Sequence, residues 1–200
     1  MTRLLLPTLA MAAIVLASNI LVQFLFGQWL TWGAFTYPLA FLVTDLTNRL
    51  HGPAAARRVV VAGFLTGIAA SVIAAGLERT TLRIALGSGA AFVAAQMTDV
   101  LIFDRLRAGR WWRAPLASTL VGSALDTALF FTIAFSAVLS GLLPGDAGWA
   151  NAPVPVLGAG PQAPLWVSLA LADWGVKLAL AVISLVPFRL ILRRALAPVA

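Results

Sequence analysis

The chain has 200 residues, of which 61% are apolar and 10% charged, with a formal net charge of +7. A soluble domain carries about 25% charged residues, so this composition excludes a soluble globular fold and predicts an all-α polytopic membrane protein. No cysteine is present, which excludes disulfides, thiolate catalysis and Cys-ligated metal.

Apolar runs separated by Gly, Pro and charged residues predict a single transmembrane domain, residues 1–200, built as a bundle of six helices. The helices are expected at residues 4–26, 34–50, 54–77, 82–106, 115–143 and 164–190. The second is short, and the aromatic residues and proline at its entry indicate a re-entrant or broken start. The Pro- and Gly-rich segment 144–163 is expected to be an irregular external loop with neither helix nor strand.

The arginines predict an orientation. Those of both tails and of the turns 50–54 and 107–114 fall on one side of a six-helix arrangement, whereas only Arg79 and Arg83 fall on the other. Because basic turns stay on the cytoplasmic side, both termini are expected in the cytoplasm and the protein in the cell inner membrane. No nucleic-acid-binding motif accompanies the positive charge, so no nucleic-acid partner is expected.

Ionisable residues inside the predicted spans are the first candidates for a site. They are Asp45, Asp99, Asp126, Asp173 and Lys177. Each costs about 2.5–3.5 kcal/mol at the centre of a membrane helix, and such residues typically face a bundle interior or a solute pathway. Asp173 and Lys177 are four residues apart on one helical face, which predicts an ion pair with either a structural or a substrate-facing role.

Two predicted helices also carry polar faces. A stripe at helical spacing in the fifth helix consists of Thr119, Ser123, Asp126 and Thr127. It is expected to face protein or water, either bonding to other helices or serving as a ligand. A similar face in the fourth helix consists of Ser88, Phe92, Gln96 and Asp99. Its aromatic ring, amide and carboxylate suit a planar polar ring.

The remaining polar positions each have two interpretations. Asn19 and Gln23 either join helices by hydrogen bonds or contact a substrate. Asp45 lies near the cytoplasmic arginines, so a salt bridge is as reasonable an expectation as substrate contact. Gly63 and Gly67 form a GxxxG pattern, which is expected to serve helix packing.

Enzyme signatures are absent from the sequence. It contains no HExxH, GxSxG or Walker motif, and its single histidine, His51, lies in a predicted turn. One histidine without cysteine cannot build a usual metal site. We therefore expect neither an enzyme nor a bound metal or other cofactor.

Four segments occur in an order that carries a family resemblance. They are SNILVQ at 18–23, TWGAFTYPLAFLVTDLTNRLHGPAAARR at 31–58, the segment 83–135 with Q-x-x-D and S-T-L-x-G-S-x-x-D-T runs, and DWGVK at 173–177. Together they resemble the queuosine precursor transporter family, sometimes grouped as vitamin-uptake-type transporters. The resemblance implies uptake of the 7-deazaguanines preQ0 and preQ1 for transfer RNA modification.

The implied substrate suits the polar residues inside the spans. A deazaguanine presents an N1–H and an exocyclic amine side by side, which a carboxylate can accept, and an O6 that needs a donor. Asp126 or Asp99 is expected on the first edge, and Gln96 or Lys177 on the second. Stacking on the ring is expected from Phe92, Phe41 or Trp174. The full set of substrate-binding candidates is Asp126, Gln96, Asp99, Lys177, Asp173, Phe92, Asn19, Gln23, Asp45, Phe41 and Trp174.

The sequence leaves the energy source and the partners open. Buried Asp and Lys residues suit a proton relay. Facilitated diffusion, in which downstream consumption of the substrate drives its uptake, fits equally. A substrate-binding subunit driven by a separate ATPase is the alternative within transport, and a homo-oligomer is compatible with each. The competing class is a non-transporting membrane scaffold or receptor.

Overall fold

The computed structural model describes residues 2–143 and 147–196; Pro144, Gly145 and Asp146 of the predicted external loop lie outside the described residues. The helices are α1 (Leu5–Leu21), α2 (Gly33–Thr36), α3 (Leu39–His51), α4 (Pro53–Gly76), α5 (Leu82–Leu106), α6 (Arg113–Phe135) and α7 (Leu165–Ala195). Short antiparallel pairs join β1 (Leu25–Phe26) to β2 (Leu30–Thr31) and β3 (Pro153–Pro155) to β4 (Gln162–Pro164).

Helix length and composition place this fold in a membrane. Within the described residues, α4, α5, α6 and α7 are long and apolar enough to cross a bilayer, and α1 is a shorter apolar helix. At 1.5 Å per residue, the 25 residues of α5 span about 37 Å, more than the ~30 Å of hydrocarbon. The protein is therefore an all-α membrane protein, as its composition predicts.

The helix bounds agree with the sequence in the middle of the chain and differ at its ends. The fourth predicted span, 82–106, coincides with α5, where Thr81 caps the helix by accepting from the Ile84 N–H at 3.2 Å. The second is broken as predicted, because Pro38, between α2 and α3, has no N–H to continue a helix. The first span ends earlier than predicted, at Leu21 rather than at residue 26, and the chain continues into the β1–β2 hairpin, whose turn passes through Gly27 at φ +69°.

Two predictions about the outer segments were wrong. The fifth span was expected to reach 143, but α6 ends at Phe135, where Ser136 turns to an extended backbone with ψ 129°. The external loop was expected to hold no strand, yet β3 pairs with β4 in the register Val154 opposite Ala163. Prolines at the strand ends are tolerated here because a two-stranded pair has only edge strands.

Close helix packing depends on glycines at two contacts. A Cβ added at Gly63 would lie 2.6 Å from Met11 Cγ, so α1 and α4 approach closely, which confirms the packing role expected for the GxxxG pattern. A Cβ added at Gly122 would lie 2.8 Å from a ring carbon of Phe41 and 3.3 Å from the Ala95 carbonyl oxygen. Gly122 therefore lets α3, α5 and α6 converge around the polar residues described below.

The basic turns lie together at one end of the bundle. An Arg49 guanidinium nitrogen donates to the Arg107 carbonyl at 2.5 Å, joining the end of α3 to the turn after α5. The Arg189 guanidinium of α7 lies 4.7 Å from the centre of the Trp111 ring. These contacts bring the turn after α3, the turn after α5 and the last turns of α7 to one end of the bundle.

Arg83 is buried and closes the opposite end of α6. Its side chain, 1% exposed, donates from Nε to the Ile133 carbonyl at 2.8 Å and from a terminal nitrogen to the Ser136 carbonyl at 2.5 Å. Its other terminal nitrogen reaches Ser140 Oγ at 3.2 Å. The last carbonyls of a helix lack partners within the helix, so this guanidinium caps the C-terminus of α6.

The Arg83→Met variant is expected to lower the free energy of unfolding by about 2–4 kcal/mol. Each hydrogen bond from a charged group contributes about 1.5–3 kcal/mol, and part of the loss is offset because folding no longer removes a guanidinium from water. Thermal unfolding of the purified protein in detergent measures the loss. Arg79→Met removes an exposed arginine of the same end and serves as the matched control. Equal unfolding temperatures for both variants would show that the cap adds nothing to stability.

Candidate functional site

Lys177 of α7 is the centre of a buried group of charges. Its ammonium lies 2.7 Å from Asp126 Oδ2 of α6 and 2.5 Å from Asp173 Oδ2 of its own helix. It also donates to Thr127 Oγ1 at 2.9 Å, and that hydroxyl donates to Asp173 Oδ2 at 3.0 Å. The predicted Asp173–Lys177 ion pair is confirmed, and the pair joins the polar stripe of α6, which faces protein as expected.

The broken second helix contributes Tyr37 to this group. The Tyr37 hydroxyl donates to Asp126 Oδ1 at 3.0 Å, and Lys177 Nζ lies 5.6 Å from the centre of the Tyr37 ring. The ring also meets Phe92 of α5 edge to face, with centroids 6.1 Å apart. We call Tyr37, Asp126, Thr127, Asp173 and Lys177 the ion cluster. It connects the break between α2 and α3 to α6 and α7.

The ion cluster has an excess of negative charge when its carboxyls are ionised. Two carboxylates then face one ammonium, and within residues 2–143 and 147–196 no other cation forms a salt bridge to them. Removing one partner from a buried ion pair costs about 3–5 kcal/mol, so the three charges depend on one another. Chemically, the cluster offers carboxylate acceptors for N–H groups and an ammonium donor for a carbonyl oxygen.

A second buried group contains Asp45 of α3 and Asp99 of α5, which we call the carboxyl pair. Asp45 accepts from Ser118 Oγ at 3.1 Å and from Thr119 Oγ1 at 3.3 Å, both on α6. The Asp99 side chain packs against Gly122 of α6, one turn after Ser118, which places its carboxyl beside Asp45. Asp99 is fully buried, and neither of its oxygens accepts a hydrogen bond from a described residue.

The salt bridge considered for Asp45 is not formed. The described ion pairs bring no arginine to this carboxylate. The reason is the direction of the helix face, because Asp45 points at α6 while Arg49, one turn further along α3, reaches the Arg107 carbonyl. The structure therefore assigns Asp45 to the bundle interior rather than to the basic end.

Gln96 lies between the two groups on α5. Phe92, one turn before it, contacts Tyr37 of the ion cluster, and Asp99, about one turn after it, belongs to the carboxyl pair. Gln96 Oε1 accepts from Thr44 Oγ1 at 2.6 Å, whereas its buried Nε2 has no hydrogen-bond partner in the part of the chain that the structure describes. Buried amide donors are rarely left unpaired in proteins, so this nitrogen is free to bind a ligand acceptor.

The two groups lie at different depths in the bundle. Thr119, bonded to the carboxyl pair, and Asp126, in the ion cluster, are seven residues apart on α6, which corresponds to about 10 Å along the helix axis. Phe41 lines a cavity of about 10 Å³ beside Asp45, room for about one water molecule. Along the bundle axis, Gln96 therefore lies between the ion cluster and the carboxyl pair.

Three sequence candidates take part in neither group through any described hydrogen bond or ion pair. Asn19 donates to the Val15 carbonyl of its own helix, and Gln23 is exposed. Trp174 follows Asp173 directly and points outward, with 36% of its surface exposed. The structure brings the other eight candidates into the two groups, or next to them.

Residue patterns alone did not identify three members of the site. Tyr37 is one of the aromatic residues at the entry to the second span, which were interpreted as a sign of a broken start, and neither Thr44 nor Ser118 was named as a candidate. Tyr37 is the single tyrosine of the chain and precedes the proline that breaks the helix. Thr44 directly precedes Asp45, and Ser118 directly precedes Thr119. The available signal was therefore a polar residue next to one already named as a candidate.

Comparisons with known proteins find a family match that spans these residues. A family model described as "Putative vitamin uptake transporter" matches residues 31–192, which include the ion cluster, Gln96 and the carboxyl pair. The "Queuosine precursor transporter" of Escherichia coli (strain K12) is 39% identical, over 61% of this chain and 64% of the relative. The "Probable queuosine precursor transporter" of Haemophilus influenzae is 39% identical, over 52% of each.

A third relative is less similar in sequence but covers more of the chain. The "Probable queuosine precursor transporter" of Bacillus subtilis (strain 168) is 28% identical, over 80% of this chain and 71% of the relative. The first two alignments span between half and two thirds of the relatives' own length. No solved structure matches the chain. Because the family match covers more than half of its residues, the protein belongs to the vitamin uptake transporter family.

Proposed function

We propose that the protein imports queuosine precursors, the 7-deazaguanines preQ0 and preQ1, across the cell inner membrane for transfer RNA modification. The observation that carries the proposal is the buried ion cluster inside a membrane helix bundle, because charges at such depth are typical of solute pathways. The names of the relatives supply the substrate class.

The donors and acceptors of the ion cluster match those of a deazaguanine. Asp126 accepts from the N1–H and the exocyclic amine, and O6 accepts from Lys177 or from the unpartnered Gln96 Nε2. The Tyr37 and Phe92 rings supply faces for the planar base. In this arrangement the substrate displaces the Tyr37 hydroxyl from Asp126, so binding acts directly on the break between α2 and α3.

We propose six membrane crossings with both termini in the cytoplasm. The shared basic end supports this orientation, and α2 with α3 together extend from Gly33 to His51, long enough for one broken crossing. The natural chain has no cysteine, so single cysteines report sidedness. We expect Arg110→Cys to be labelled only from the cytoplasm and Ala159→Cys only from outside. Labelling of both from one side would reject the topology.

Import is tested in a bacterium that cannot make the precursor and lacks its own importer. With preQ0 or preQ1 supplied externally, expression of this protein should restore queuosine in transfer RNA, whereas cells without it should show none. Restoration that needs a co-expressed ATPase would identify a substrate-binding subunit of an ATPase-driven importer. No restoration by membrane-inserted protein, with or without an ATPase, would reject the proposed substrate and favour a scaffold or receptor.

A further inference from the structure

The carboxyl pair has no part in the recognition proposed above. Asp45 and Asp99 are 2% and 0% exposed, and they pack against adjacent turns of α6: Asp45 accepts from Ser118, and a Cβ built at Gly122, four residues further along, would lie 3.4 Å from Asp99 Cβ. The Ser118 and Thr119 hydroxyls donate to Asp45, whereas no described residue donates a hydrogen bond to Asp99. Two buried carboxyls side by side place two negative charges in the bundle interior unless one of them holds a proton or a cation lies between them.

The described side chains that contact the pair from α6, or line the cavity beside it from α7, carry no charge. On α3, the nearest basic residue along the helix, Arg49, points away from the pair and donates to the Arg107 carbonyl. From α6 the facing groups are hydroxyls, and α7 lines the adjoining cavity with Ala181, Ser184, Leu185 and Phe188, none of which titrates. Within the described residues, no salt bridge reaches either carboxyl.

Two adjacent carboxyls in a medium of low dielectric constant do not both ionise, and one of them keeps a proton. That proton also completes the hydrogen bonding, because a protonated Asp99 becomes a donor to Asp45. A metal cation fits less well, since hard cations take six or more oxygen ligands and the adjoining cavity holds about one water molecule.

We propose that the carboxyl pair is a proton-binding site that couples import to the proton gradient, an inference that rests on the proposed transport function. The pair cycles between two bound protons and one. A proton from external water binds a carboxylate oxygen when the site opens outward, and the same O–H bond breaks to release it when the site opens inward. The pair never leaves two charges inside the membrane during this cycle.

Infrared spectroscopy of the purified protein tests the bound proton without any transport. We expect a protonated-carboxyl C=O band at neutral pH that changes in position or intensity in Asp99→Asn and in Asp45→Asn and disappears in the double variant, because a single buried carboxyl still keeps its proton. The band should persist in Asp104→Asn, which changes a partly exposed carboxylate at the end of the same helix. If the wild-type protein shows no such band, or if the double variant keeps it unchanged, the inference is wrong.

Proteoliposomes test the coupling. An imposed gradient of one pH unit, acidic outside, should drive accumulation of labelled preQ1 up to about tenfold through wild-type protein, and a protonophore should abolish it. Asp99→Asn should still exchange internal for external preQ1 but no longer accumulate it. Accumulation driven by a sodium gradient alone, or by no gradient, would overturn proton coupling.

Two outcomes separate this inference from the function on which it rests. Wild-type protein that exchanges preQ1 but ignores the pH gradient refutes the coupling and leaves the transport function standing. Loss of preQ1 binding in Asp99→Asn, with Asp45→Asn unaffected, would assign Asp99 to the substrate instead. Absence of exchange by wild-type protein rejects the function, and the infrared band then decides whether the pair holds a proton.

Discussion

The Asp126→Asn variant is expected to lose import of 7-deazaguanines by about 100-fold or more while still inserting in the membrane. Truncating one partner of a buried charged hydrogen-bonded pair costs about 2–5 kcal/mol of binding, which corresponds to roughly 30-fold to several thousand-fold. The asparagine amide presents N–H donors where the base presents its own, and it removes the charge that Lys177 contacts at 2.7 Å. Both changes act against substrate binding.

Uptake of labelled substrate, scaled to the amount of inserted protein, measures this loss. Asp104→Asn is the matched control, because that carboxylate lies at the basic end, on α5, in an ion pair with Arg107 that is partly exposed. The control should import like the wild type. Wild-type uptake by Asp126→Asn would show that this carboxylate does not bind the substrate, and would leave Asp99 and Gln96 as the next candidates.

The Lys177→Met variant is expected to lose about 3–5 kcal/mol of stability, since it leaves Asp126 and Asp173 buried without their shared cation. Methionine fills a similar volume, so the loss measures charge rather than packing. The expected result is a lower unfolding temperature in detergent, or little inserted protein. An unchanged unfolding temperature would mean that the two carboxylates take up a proton at little cost.

A neutral version of the cluster separates stability from recognition. Combining Lys177→Met with Asp126→Asn and Asp173→Asn removes all three charges, and replacing a buried ion cluster by neutral residues is often neutral for stability. We expect this triple variant to recover most of the unfolding temperature but none of the import. Recovery of import as well would show that the ion cluster serves the fold and that the substrate binds elsewhere.

The middle of the fold could be predicted from the sequence because its signals are local. The apolar run 82–106 begins at a threonine cap, and the resulting helix has the same bounds. The end of α6 was predicted eight residues too late because residues 136–143 stay mostly apolar. What ends the helix there includes the cap supplied by Arg83, fifty residues earlier in the chain.

In the site too, the contact within one helix could be predicted from the sequence, and the contacts between helices could not. The Asp173–Lys177 ion pair follows from a spacing of four residues on one helix, and the structure confirms it. Its extension to Asp126 and Tyr37 joins residues 51 and 89 positions apart, which no periodicity can indicate. The salt bridge considered for Asp45 was wrong for the same reason, because proximity in sequence did not reveal which helix its side chain faces.

The sequence by itself determined that this protein lies in a membrane, which of its residues are costly there, and which end of the bundle is basic. Those conclusions depend on composition and on the transfer free energies of single side chains. The tertiary structure alone decided which costly residues of different helices neutralise one another. It added Asp126 to the Asp173–Lys177 pair and left Asp45 and Asp99 without a salt bridge to any described cation, because the close contact at Gly122 and the break at Pro38 set which helix faces meet.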